Sequence, residues 1–341
     1  MRVTLLVVVS FLLFLLPKCK NGTGSDQDDV DTTSHNFTWR IDTLGKYLSY
    51  LNDVTIINEN YIIAGGEINT DSGTYNLAIW DGENWHLEVL DLGQIVTGIF
   101  NKDQNNIWYT TGVLHLWSSN NWRKYHLWRM NVLGDSDGAI SAIWGGETTN
   151  MYFAGEKGTI VTFDGIQFRK MESLTNIELN RISGNVNGNV FITGYELSGE
   201  GIALELVDDE WVSLFGTNHK YGRFKGVWCG DKYVYLITTE GILKRNLKSS
   251  DTVFLSDVYR VDPSLITHEI EGQAENDIAV VSNRGKILHW NGASWSTQYE
   301  IYNQYPDHIL SVRGADYSSQ TIAFVGYYKN ATQAFIVIGT K

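Results

Sequence analysis

The sequence is poor in cysteine, proline and basic charge. Two cysteines, Cys19 and Cys229, exclude a disulfide framework as the source of stability. Three prolines stand against 33 glycines, so tight turns fall to glycine rather than to proline. Lysine and arginine total 26 against 39 aspartates and glutamates, a formal net charge of −13. Nucleic acid is therefore excluded as a partner of the bulk surface, because phosphate binding needs a basic face. No stretch beyond the N-terminal end keeps a 3.6-residue apolar period, which argues against a helical solenoid. HExxH, GxSxG, P-loop and dinucleotide fingerprints are all missing, and no catalytic residue, metal site or cofactor is expected.

What is present is apolar, aromatic and repetitive. Hydrophobic residues make up 43% and charged residues 19%, enough for a large core and too apolar for a disordered chain. The first apolar run, Leu5 to Leu16, is interrupted only by Ser10 and follows Arg2. It is shorter than the roughly 20 residues of a membrane span and has the form of a signal-peptide core. Residues 1–18 read as a signal peptide and residues 19–35, rich in Asp, Gly, Ser and Thr, as a flexible polar tether. Cys19 directly follows the leader. Its place resembles the lipobox of bacterial lipoproteins, with Leu16 at the matching position and Pro17 and Lys18 departing from the pattern. That resemblance implies lipidation of Cys19, export to a bacterial cell envelope, and membrane contact only through the lipid. Plain secretion is the other reading. Asn-x-Thr sequons stand at Asn21, Asn36 and Asn330 and matter only in a eukaryotic secretory route.

The rest of the chain repeats. Ile143 to Phe168 and Glu269 to Trp295 share a glycine, then Asn or Asp five positions on, an apolar strand, a second glycine, an aromatic, an Asp-Gly or Asn-Gly turn and a closing aromatic. Gly112 precedes Trp117, Gly158 precedes Phe163 and Gly285 precedes Trp290 at one spacing. The closing aromatics are Trp85, Trp122, Phe168, Trp211 and Trp295, with Phe254 in the remaining copy. Intervals near 40 residues suit a four-stranded propeller blade (about 40–45 residues). Seven inner strands are predicted near Asp53 to Ile57, Ile95 to Phe100, Ile140 to Trp144, Leu179 to Ser183, Phe224 to Trp228, Ile266 to Glu271 and Ile309 to Arg313. The last copy ends at Ile338 without a fourth strand, whereas Phe37 to Ile41 is a fourth strand with nothing before it. The expected fold is an all-β, seven-bladed β-propeller over residues 36–341, its last blade closed by the N-terminal strand.

The motif Trp-Gly-x4-Asn-x-Tyr-x-Ala-Gly-x2-Gly-Thr-Ile-x3-Asp-Gly, best seen from Trp144 to Gly165 and again in Gly272 to Trp295, resembles the repeats of bacterial secreted and lipid-anchored β-propellers. The resemblance implies fold and export and names no substrate.

Candidate chemistry is sparse. His115 and His289 hold related repeat positions, better explained by strand placement than by metal. Asp135-Ser136-Asp137-Gly138 lacks the further ligands of an EF-hand loop and reads as a turn. Cys229 reads as a packed small residue. Before the first repeat glycine, equivalent positions carry Val54, Phe100, Trp144, Ser183, Trp228, Glu271 and Arg313. If these face one mouth of the channel, Phe100, Trp144 and Trp228 stack a ligand while Glu271 and Arg313 hold its polar groups. The competing expectation is that the tryptophans pack between blades and Glu271 pairs with Arg313. Three functions follow: a non-catalytic module binding a protein or an extracellular polymer, a carbohydrate-active enzyme with its site at the channel mouth, or an assembly factor for an envelope complex.

Overall fold

The computed structural model describes residues 31–341 except 91–93, 104, 147–149, 216–218, 262–266, 283–284, 306–309 and 331–332, and the backbone alone at 259, 260, 267 and 304. The leader, Cys19, the first part of the tether, Ile266 and Ile309 lie outside the described residues.

Asp-Gly and Asn-Gly turns organise each sheet. The side chains of Asp81 and Asp164 each accept the N–H groups two and three residues on, at 2.7 to 2.9 Å, and Asn291 does the same for Ala293 and Ser294. The glycines that follow, Gly82, Gly165 and Gly292, sit at φ of 98°, 94° and 96°, a conformation costly for any residue with a Cβ. Each turn sends the third strand of a blade into the fourth. The aromatic pairs at its mouth, Trp80 with Trp85 and Trp290 with Trp295, have ring centroids 5.4 and 5.7 Å apart. One copy differs from expectation. There the cross-strand pair at the turn is Arg245 with Thr252, and Phe254 lies two residues further along, paired with Leu243 and exposed.

Seven four-stranded antiparallel sheets result. Their inner strands are Tyr50–Asn58, Gly98–Asp103, Ile140–Gly145, Leu179–Gly184, Phe224–Cys229, Thr267–Ala274 and Leu310–Ser318, here blades 1 to 7. Blades 1 to 6 run consecutively from inner to outer strand. Blade 7 takes its outer strand, Thr38–Leu44, from the other end of the chain, pairing it antiparallel with Ala334–Thr340. The fold is thus the predicted seven-bladed β-propeller. Residues 31–35, read as the end of a tether, are docked on blade 6: Thr33 Oγ1 donates to the Asn276 carbonyl at 2.8 Å, and His35 and His289 meet Nδ1 to Nδ1 at 2.8 Å.

The core is divided among the gaps between blades. Alternate residues of one strand serve different gaps: Ile62 and Ala64 pack with Val325 and Ile336 of blade 7, while Ile63 packs with Ile99 and Ile107 of blade 2. Both faces of the middle strands are therefore apolar, and runs such as Met151–Gly155 are buried throughout. This is why these strands read as continuous hydrophobic stretches rather than as alternating ones. Helical structure among the described residues is confined to Asp257–Val261, Ile301–Gln304 and one 3-10 turn, Glu156–Gly158.

Candidate functional site

A β-bulge at the start of the inner strand builds the mouth of the channel. Pairing register shifts by one residue between Leu51 and Asp53, Ile140 and Ala142, Leu179 and Arg181, Phe224 and Gly226, Thr267 and Glu269, and Val312 and Gly314. The extra residue of a bulge leaves the ladder and its side chain is re-aimed. Those residues are Asn52, Ser141, Asn180, Lys225, His268 and Arg313, with Thr97 in the same place before blade 2. All seven line one opening of about 1020 Å³. Hairpins between second and third strands complete its rim, among them Glu156, Leu197 and Lys329.

Below the mouth, the first and third residues after the bulge line an inner cavity of about 350 Å³. The first positions contribute Asp53, Arg181 and Glu269. The third contribute Thr55, Phe100, Trp144, Ser183, Trp228, Glu271 and Asp316. Phe100, Trp144, Trp228 and Glu271 therefore share one level, which lies in the inner cavity below the mouth. Arg313 does not join them, and neither does Val54. Gly314 directly follows its bulge, as Gly98 and Gly226 follow theirs, and is not the counterpart of Gly145, Gly184 and Gly272. In blade 7 the matching residue is Asp316, and in blade 1 it is Thr55. Arg313 instead stands exposed at the mouth, its guanidinium 5.5 Å over the Tyr327 ring.

The two tryptophans of this level, which line the cavity, also pack at the seams between blades. A Cβ at Gly184 would come within 2.6 Å of the Trp144 ring, and one at Gly272 within 2.7 Å of Trp228. Each tryptophan ring thus packs closely against the glycine of the next blade, and Trp228 is buried. Where the same position is polar it serves the same seam: Ser183 Oγ accepts the Cys229 N–H at 3.0 Å, and Asp316 accepts the Ile56 N–H at 2.6 Å. Glu271 does not pair with Arg313. The ion pair of the channel joins Arg181 of blade 4 to Glu269 of blade 6, with Nε 3.0 and 3.1 Å from the two carboxylate oxygens and Nη2 on the same group. Nη2 also reaches the Arg313 carbonyl of blade 7. Arg181 is thus a bar across the channel, between mouth and inner cavity.

Charge is unevenly placed. Arg181 is the sole cation among the described residues lining the inner cavity. Burial works against its charge, but the Glu269 carboxylate outweighs that and holds it ionised. Burial pushes Asp53 up to about 7, against the N–H groups of Ile99 and Val54 that hydrogen-bond it. Burial likewise takes Asp316 up to about 6. Glu271 is driven well above the carboxylate range by burial and by the acids Asp316, Glu269 and Asp53. A raised folded-state pKa means that folding takes up a proton, so stability falls as pH rises through the window above the ordinary carboxylate value. Glu271→Gln removes that penalty. We expect its urea midpoint to exceed wild type at pH 8 and to match it at pH 4, each unit of lost pKa shift being worth about 1.4 kcal/mol. Equal midpoints at pH 8 would refute the buried-acid account.

At the mouth the two signs separate. Lys225, His268, Arg313 and Lys329 come from blades 5, 6 and 7, and Glu156, Glu178 and Glu196, with Lys157 among them, from the side of blades 3 and 4. His268 is pushed down to about 4 by burial and then by Lys225, Lys329, Arg181 and Arg313. Glu178 is pushed up by burial and by Glu156. Leu197 is 87% exposed on the rim.

The remaining candidates are structural. Cys229 is buried and its thiol is pushed up by burial. His289 is 1% exposed and bonds Asp277 at 2.7 Å. Asp137 holds Lys170 at 2.6 Å and the Gly134 N–H. Among the described residues no three His, Cys, Asp or Glu side chains are placed to hold a metal ion. The sequence reading missed Arg181, Asp53, Lys225 and His268. Aligning the copies on the strand entry rather than on the glycine would have put Asp53, Arg181 and Glu269 in one column.

No protein-family profile matches the sequence, and comparison with curated proteins finds no relative. Comparison of structures does find similar folds. A structure of YCF48 bound to a D1 peptide is similar at a TM-score of 0.65 and 12% identity, over 93% of this chain and 99% of that one. YCF48 from Cyanidioschyzon merolae is similar at 0.58 and 13%, over 88% and 98%. The WD40 β-propeller domain of Doa1 is similar at 0.62 and 10%, over 90% and 98%. At these identities the likeness is one of fold.

Proposed function

We propose that this chain is an exported, non-catalytic binding module that holds a segment of a partner protein in the mouth of its propeller, and that Cys19 carries the lipid that tethers it. The observation that carries the reading is the opening of about 1020 Å³ into which six blades send a bulge residue and blade 2 sends Thr97. A bulged edge is a device for aiming side chains, and a rigid disc that aims seven of them at one opening suits recognition. The Arg181–Glu269 pair spans the channel between mouth and inner cavity, so the ligand is held at the mouth rather than threaded through. The propeller fold is shared with YCF48, which has been captured with a D1 peptide. Export rests on the short apolar leader and the polar tether after it.

A photo-crosslinking residue at Leu197 tests the site, with one at Ile166 as control. Ile166 is 90% exposed on a hairpin between third and fourth strands. In intact cells the Leu197 position should give discrete protein adducts and the Ile166 position none. Matching adducts at both positions, or a glycan polymer at Leu197, would overturn the reading. The same cells report the anchor: wild-type chain should fractionate with membranes and Cys19→Ser should not.

A further inference from the structure

We propose, resting on the reading above, that the mouth recognises a peptide segment of mixed charge, its acidic side chains against Lys225, Arg313 and Lys329 and a basic side chain against Glu156 and Glu178. No ion pair engages Lys225, Arg313 or Lys329 among the described residues. Arg313 offers its guanidinium only to the Tyr327 hydroxyl, at 3.4 Å, and to that ring's face. Four cationic or protonatable side chains thus share one side of the opening, where the carboxylate present, Glu269, is taken up by Arg181. Burial and its neighbours strip His268 of its proton, as expected where like charges are not compensated. The opposite side carries the reverse frustration. Burial and then Glu156 push Glu178 up, against the pull of Arg181 and Arg313, and Glu196 and Lys157 line the same side.

A ligand carrying both signs relieves both sides at once. A uniform polyanion relieves one and meets the glutamates of the other, on a chain whose net charge is already −13. A uniform polycation meets the Lys225 side. Peptide chemistry supplies both signs within one short segment, and Leu197 on the rim gives such a segment an apolar contact. Charge complementarity of this kind sets selectivity and register more than raw affinity.

The test uses the mature chain and three synthetic peptides with blocked termini: one with glutamates at one end and lysines at the other, one all-acidic and one all-basic, each with the same central leucines. Titration calorimetry at low salt should rank the mixed peptide first, about tenfold tighter than either uniform one. Lys225→Glu combined with Arg313→Glu should weaken the mixed peptide by about tenfold and raise binding of the all-basic one. Thermal melts confirm that the variant is folded, and Lys225→Gln with Arg313→Gln gives a milder second version. Equal affinities for all three peptides, no binding of any, or affinities unmoved by charge reversal would overturn the proposal. If that happens while Leu197 still yields protein adducts, the charge assignment falls and the site stands. If Leu197 yields none, the site falls too.

Discussion

A chain that starts after Leu44 is expected to lose its cooperative fold, while one that starts at Asp31 keeps it. The Thr38–Leu44 strand supplies the whole outer edge of blade 7, in register from Thr38 against Thr340 to Leu44 against Ala334. Its side chains also close two gaps. Trp39 stacks on Tyr299 at 5.5 Å and fills the space over Gly339. Phe37 meets the His289 ring at 5.1 Å. Leu44 is buried against blade 1. Without the strand, Ala334–Thr340 becomes an open edge of high β-propensity, a template for pairing between chains. The loss should be on the order of the whole stability of a domain, 5 kcal/mol or more. The measurement is light scattering and a urea melt of both chains. Adding a synthetic peptide of residues 31–44 should restore the melt, because an added strand can complete a sheet in trans. A truncated chain that stays monodisperse with an unchanged midpoint would refute the closure.

The second large effect is expected at Arg181. Arg181→Ala should destabilise the propeller by about 3–5 kcal/mol, the cost of removing one partner from a buried pair. Glu269, buried in the channel, would keep its charge with no counter-ion. The Arg313 carbonyl would lose its donor as well. Replacing both partners by apolar residues, Arg181→Met with Glu269→Leu, should recover most of the loss, since the desolvation of both charges goes with them. The sign with pH is fixed by the same argument. In Arg181→Ala the lone Glu269 escapes its penalty by protonating, so the deficit against wild type should shrink as pH falls toward 4. Urea melts at pH 8 and pH 4 measure both. A deficit under about 1 kcal/mol at pH 8 would mean that the bar is incidental.

Much of this molecule can be read from local pattern. Asp164-Gly165 and Asn291-Gly292 are legible because an Asx side chain and a glycine at positive φ make a turn with no help from distant residues. Phe37 to Ile41 was recognisable as a displaced fourth strand because its alternation and closing tryptophan match those of Glu83 to Leu87. The copy holding Phe254 shows the limit: with Arg245 and Thr252 at its turn, the aromatic marker is gone and the next aromatic along is misleading.

The channel was misread in blade 7 for a different reason. A glycine before an apolar strand looks alike whether it directly follows a bulge, as Gly314 does, or sits three residues later, as Gly272 does. Only the pairing register tells them apart. Arg181 and Glu269 are 88 residues apart in the chain, and nothing near either one marks the other.

The amino-acid sequence alone thus determined the number of blades, the turn chemistry and the closure by the two ends, because each rests on spacing and propensity within about 40 residues. Tertiary structure alone decided which side chains face the channel, which charges meet across it, and how the mouth divides into a basic and an acidic side. The reason is geometric: one unpaired residue at a strand entry rotates everything after it by half a pleat, and that rotation exists only once the neighbouring strand is in place.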